Sequence, residues 1–181
     1  LGSDKLPKAN RSRTHKQRSQ NVLVSTARQI DGSQFELLLV LDEANEFLED
    51  HMSGLHIQGM ALVEASRQAF LSVTEQYYLA DNQQEFYFVI NSINIDYKTF
   101  LFPLPTRLRY RVLSEKIAKN RLSFKVSIDL IQNDSVCATS HITFTAYEHE
   151  AIANKERQAA SKAVARLIEF NDLSSDLNTA A

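Results

Sequence analysis

Apolar and polar residues alternate along six stretches of this chain and recur at helical spacing along two. Asn21 to Ile30 and Gln34 to Leu41 are rich in Val, Leu and other strand formers. Asp31-Gly32-Ser33 lies between them, so the pattern predicts a hairpin. From Gly59 to Tyr78 there is no proline, and Ala61, Leu62, Ala65, Ala69 and Val73 follow the i, i+3, i+4 spacing of a buried helical stripe. Gly59, Ala61, Ala65, Ser66, Ala69 and Ser72 are small enough for other backbone to approach that helix from several sides. After a break at Asp81-Asn82, four strand patterns follow. They run from Glu85 to Tyr97, from Thr106 to Glu115, from Leu122 to Leu130 and from Val136 to Phe144. Lys119-Asn120 and Asn133-Asp134 supply the last two turns. A second helical stretch, His149 to Phe170, carries Ile152, Ala159, Ala160, Ala163, Val164, Leu167 and Ile168 on one face.

This order, two strands, a helix and four strands, argues an α+β fold. Each strand has one apolar face to bury, so a curved antiparallel sheet should wrap around one long central helix, with an extra helix at the C-terminal end. Residues 1–20 lack apolar periodicity and are expected to form a disordered basic tail. Residues 21–148 form the folded domain, and 149–181 an amphipathic helix with a frayed end.

At 181 residues and 44% hydrophobic, the chain has enough apolar material for one full core. Its formal charge of -2 conceals an asymmetry, because the first twenty residues carry six Lys/Arg against Asp4 alone. The tail is basic and the body acidic. The tail has no interleaved aromatics and the body no basic face, which argues against nucleic-acid binding. No apolar run is long enough for a membrane span or a signal-peptide core. The single Cys137 allows no internal disulfide, which suits a reducing cytoplasm, and is read as a small core residue.

Three polar residues interrupt the central helix. Glu64, Arg67 and Gln68 stand at i, i+3 and i+4 and share one ridge. One reading is a structural Glu64–Arg67 ion pair. The other is a catalytic carboxylate tuned by partial burial and a cationic neighbour, with His51, just ahead of the helix, as its partner in proton transfer. On the strand from Thr106 to Glu115, Arg107, Arg109 and Arg111 share one face. They are either its solvated side or a cradle for phosphate. The acidic stretch Asp42 to Asp50 with His51 and His56 has no recognisable metal-ligand spacing, and no metal is expected.

The run Asn45-Glu46, Phe47, His51, Gly54, Gly59, Glu64-Ala65 and Gln68 resembles the loop and central helix of hotdog-fold 3-hydroxyacyl carrier-protein dehydratases. In that family a His and a Glu, here His51 and Glu64, form a catalytic pair across a dimer interface. The core Glu64-Ala65-Ser66-Arg67-Gln68 is closer to a second hotdog family, the A-factor synthases of γ-butyrolactone signalling, whose helix carries Glu-x-x-Arg-Gln. That resemblance extends to His15-Lys16, Asn21-Val22-Leu23-Val24, Asn120-Arg121, Asn133-Asp134 and Cys137-Ala138-Thr139, covering about residues 15 to 147.

The resemblance implies a hotdog fold and a homodimer. It also implies a thioester substrate carried on phosphopantetheine, from an acidic acyl carrier protein or coenzyme A, with no bound cofactor. Glu64, Arg67 and His51 would be catalytic. Gln68, Gly59, His56 and Asn45 would contact substrate, and Arg107, Arg109 and Arg111 would hold the phosphopantetheine phosphates. The implied reactions are β-ketoacyl transfer to a hydroxyl acceptor, dehydration or hydrolysis of an acyl thioester, or acyl binding without catalysis. A-factor synthases resemble two such domains in tandem, whereas this chain has one.

Overall fold

A computed structural model describes residues 6–49, 54–80, 82 and 84–179 of the protein. The expected hairpin forms from β1 (Arg28–Asp31) and β2 (Gln34–Leu38), with the Asp31 carboxylate accepting from Ser33 N at 3.0 Å to close the turn. A short helix α1 (Glu46–Glu49) leads toward the central helix α2 (Gly59–Val73), whose last turn widens into a π-helix over Thr74–Tyr78. Four long strands follow: β3 (Phe86–Tyr97), β4 (Arg107–Ala118), β5 (Arg121–Gln132) and β6 (Ser135–Glu148). The helix α3 (His149–Thr179) ends the described chain.

The six strands form one sheet in the order β1-β2-β4-β5-β6-β3, with every neighbouring pair antiparallel. The sheet curls around α2. Asn133 and Asp134 take positive φ of 50° and 58°, the two-residue geometry that matches strand twist in a tight hairpin, and so fix the β5–β6 register. Phe35, Leu108, Tyr110, Phe124, Ile128 and Phe144 turn inward from the strands to meet Ala65, Ala69 and Phe70 of the helix. Phe70 stacks on Phe144 with ring centroids 4.2 Å apart. The small residues of α2 serve as the sequence pattern suggests. Ala65 and Ala69 are fully buried, and Ser66 bonds across to Ser140 at 2.9 Å.

The N-terminal segment departs from expectation. Residues 6–20 are ordered against the domain rather than forming a free tail. They fold through short 3-10 turns at Ser12–Thr14 and Ser19–Asn21, with Ala9 and Thr14 buried and Lys8 bridged to Ser25. Ionic and polar anchoring explains this where apolar periodicity gave no signal: Lys8 pairs with Asp42, His15 with Glu75 and Lys16 with Glu64. The first strand is also shorter than its composition suggests. Leu23, Val24 and Ser25 run beside β2 but bond irregularly, with Val40 N donating to Leu23 O and Ser25 N to Leu38 O.

Candidate functional site

Glu64 lies midway along α2, with its side chain 12% exposed. Arg67, one turn on, grips both carboxylate oxygens, its Nε 2.8 Å from Oε2 and its Nη2 3.0 Å from Oε1. Lys16 reaches in from the N-terminal segment to place Nζ 2.8 Å from Oε1, and Gln68 Nε2 donates to the same oxygen at 3.0 Å. Burial works against ionisation of this carboxyl, but the hydrogen bonds from Arg67, Lys16 and Gln68 outweigh it and hold its pKa below the ordinary glutamate value.

Gln68 is fully buried and joins three chain segments. Its Oε1 accepts from Leu23 N at 2.7 Å, while Nε2 donates to Asn21 O at 2.9 Å as well as to Glu64. Asn21 in turn brackets the start of α1. Its side chain donates to Glu46 Oε2 at 2.8 Å and accepts from Glu46 N at 3.1 Å. Asn45, also buried, donates to Gln20 O at 2.9 Å. Lys16, Asn21, Asn45-Glu46 and Glu64 through Gln68, scattered in sequence, are therefore one hydrogen-bonded assembly. Lys16 was no candidate from sequence, although the His15-Lys16 match pointed to its position.

A second group collects at the N-terminal end of α2. His56 packs against Phe100 with ring centroids 4.9 Å apart. With Ile57, Gly59, Leu62, Tyr97 and Phe100 it lines a cleft of about 510 Å³. The Tyr97 hydroxyl donates to Gly59 O at 2.9 Å, and a Cβ at residue 59 would stand 2.8 Å from that hydroxyl, so glycine is what allows Tyr97 to lie there. Gly59 and Glu64 are five residues apart, a rise of about 7.5 Å along the axis.

The three arginines lie elsewhere. Leu108 and Tyr110 fill the core, which turns Arg107, Arg109 and Arg111 to the outer face of β4. Arg107 pairs with Asp134 at 2.8 Å and Arg111 with Asp129 at 2.9 Å, while Arg109 stands in register between Glu36 and Asp129. The sheet separates them from Glu64. His51 lies outside the described residues.

No curated protein matches this chain. Among solved structures, a mutant thioesterase of Pseudomonas aeruginosa is similar in fold, with 15% identity, a TM-score of 0.54 and coverage of 81% of this chain and 96% of that one. A conserved protein of the same organism gives 18% identity and a TM-score of 0.52, covering 75% of this chain and 98% of that one. No described helix is long and apolar enough to cross a membrane. The family model for the A-factor biosynthesis hotdog domain matches residues 3–148, which takes in the whole sheet, the central helix and Lys16. The chain belongs to the A-factor biosynthesis hotdog-domain family.

Proposed function

We infer that this protein processes acyl thioesters as an acyltransferase. It moves a β-ketoacyl group from the phosphopantetheine of a carrier protein or coenzyme A to a hydroxyl acceptor. What carries the reading is the state of Glu64. A carboxylate offers about four lone-pair sites, two on each oxygen. Among the described residues Oε1 takes three donors and Oε2 one, so on that side Oε2 retains acceptor capacity. An ionised carboxylate with an open site receives a proton and does not supply one.

In this scheme the acceptor hydroxyl gives its proton to Glu64 while its oxygen bonds to the thioester carbonyl carbon. The carbon–sulfur bond then breaks and the proton passes to the departing sulfur. Arg67 and Lys16 hold Glu64 ionised at the start of the cycle. The same ionisation weighs against dehydration, in which Glu64 would have to donate a proton to a leaving hydroxyl. Backbone N–H groups at the start of α2 offer positive potential to a carbonyl oxygen, and the apolar cleft beside Gly59 suits the acyl chain.

A homodimer fits the β3 edge of the sheet. On the helix side of β3 lie Phe86, Phe88 and Ile90 before its bulge and Ile93, Ile95 and Tyr97 after it; all but Phe86, which pairs with Glu148, pair with buried residues of β6. The bulge reverses the alternation at the middle of the strand. Antiparallel pairing of two copies about residues 91 and 92 then sets Ile90 against Ile93 of the partner subunit, and Phe88 against Ile95 of the partner subunit, all on one face.

Thioester hydrolysis, with water in place of the acceptor hydroxyl, is the second reading. The name of the Pseudomonas aeruginosa thioesterase favours it. Mass spectrometry of β-ketoacyl and 3-hydroxyacyl carrier-protein thioesters, incubated with the protein with and without dihydroxyacetone phosphate, distinguishes the cases. Unloading that requires the acceptor supports transfer, and unloading without it supports hydrolysis. Loss of water from the 3-hydroxyacyl substrate would show dehydration, and no turnover of either substrate would leave acyl binding. Glu64→Gln should slow transfer by about 10²–10⁴-fold, the usual contribution of a general base.

A further inference from the structure

Residues 11–16 form a tight loop on the N-terminal segment. Lys16 N donates to Arg11 O at 2.8 Å and His15 N to Ser12 O at 3.2 Å, the paired bonds of a Schellman turn. His15 occupies the left-handed position of that turn, with φ 54° and ψ 45°. Glycine is the usual residue there, because a Cβ opposes the conformation. Histidine in its place strains the loop, and the contacts of its ring offset that strain.

The ring touches two elements. Its Nε2 lies 3.2 Å from Glu75 Oε1, on the π-helical end of the central helix, and its plane stands edge-on to Phe88 of β3 with centroids 5.2 Å apart. Among the described residues, Glu85 and His149 are the other titratable groups lining the cavity of about 440 Å³ beside it. Lys16, the next residue, reaches the other way along the helix, to place Nζ 2.8 Å from Glu64 Oε1. Glu64 and Glu75 are eleven residues apart, about 16 Å along the axis. Two adjacent residues thus brace one loop against two carboxylates about three turns apart. The main-chain ties on either side are farther off, from Ala9 N to Val24 O at 3.0 Å and from Asn45 to Gln20 O at 2.9 Å. Without the ring contacts the loop is free to turn about Lys16, and a long lysine stem then loses its fixed aim.

We propose that His15 is a positioning residue that acts through Lys16. By pinning the loop to Glu75 and Phe88 it aims the Lys16 ammonium at Glu64 and keeps that carboxyl ionised. The consequence for catalysis rests on the reading of Glu64 as proton acceptor; the positioning itself does not.

The test is an acid titration of the full chain without substrate, following the Glu64 carboxyl carbon by NMR. His15→Gly suits the left-handed backbone and removes only the ring. It should shift the Glu64 titration to higher pH, as Lys16→Met does. The double variant should shift it no further than Lys16→Met alone, because both residues act on one contact. His15→Asn accepts the same backbone conformation and offers Glu75 a donor, so it should recover part of the shift. Glu75→Gln weakens the contact from the helix side and should also shift the titration upward, whereas loss of its negative charge alone would move it downward. A His15→Gly protein that titrates like the parent overturns the proposal, because the ring then merely fills the turn. A double variant whose shift is the sum of the two single shifts overturns it as well. The expected shifts in a protein that unloads no β-ketoacyl carrier would uphold the role of His15 and count only against acyl transfer.

Discussion

Lys16 Nζ lies 2.8 Å from Glu64 Oε1, so a residue of the irregular N-terminal segment helps to set the charge state of the central helix. Both side chains are largely shielded, at 19% and 12% exposed. Arg67 alone would leave Oε1 with fewer donors and a smaller balance against the cost of burial.

Lys16→Met should therefore act on stability and on acid–base behaviour together. Loss of a hydrogen bond to a mostly buried charge is expected to destabilise the fold by about 1.5–3 kcal/mol. The acidic limb of the activity profile should move to higher pH, because a donor that lowers the Glu64 pKa has gone. Urea unfolding and a pH–rate profile would measure the two effects. An unmoved limb would show that Glu64 does not titrate in the reaction.

The folded-state pKa of Glu64 lies below its ordinary value of 4.5. A carboxyl of this kind contributes stability that is present above the unfolded pKa and is lost as pH falls through the folded one. Glu64→Gln should accordingly be less stable than the parent near neutral pH, with the gap narrowing below about pH 4.5. Urea midpoints taken from neutral to acidic pH would show whether the two curves converge.

Ser72 is buried on α2, and among the described residues its hydroxyl has no hydrogen-bond partner. An unpartnered buried hydroxyl costs about 1–3 kcal/mol, and alanine is the better helix former. Ser72→Ala should raise the melting temperature by at least a few degrees, on the scale of about 2–4 °C per kcal/mol for a chain of this size. A fall in Tm would mean that the hydroxyl is satisfied in solution.

Gly59 and Tyr97 should be coupled. Gly59→Ala brings a methyl group against the phenol, so it should displace the ring and break the bond to Gly59 O. In a Tyr97→Ala background the obstacle is gone, and the same change should stabilise α2 by up to about 1 kcal/mol. A double-mutant cycle with no interaction energy would count against this packing.

Most of the sheet was legible because its strands alternate cleanly. Leu108 and Tyr110 point inward between arginines, and Asn133-Asp134 marks a tight turn. The bulges were not legible. The irregularity between Ile90 and Ser92 reverses the facing of all that follows in β3, and nothing in the local composition announces it. The Glu64, Arg67, Gln68 ridge was visible from helical spacing, but its connections to Lys16, Asn21 and Leu23 depend on how a polar segment folds back across α2. The ordered N-terminal segment was missed for the same reason. It is held largely by ion pairs and main-chain bonds, which leave no hydrophobic period in the sequence.

The clasp that Gln68 forms has an evolutionary corollary. Its amide addresses the main chain of Asn21 and Leu23, not their side chains. That contact tolerates any apolar residue at position 23 that fits the core, so drift there need not disturb the charged assembly. Proline is the exception: it has no N–H to offer Gln68 Oε1, and a single Leu23→Pro change would unfasten the segment carrying Lys16 without touching an ionised group.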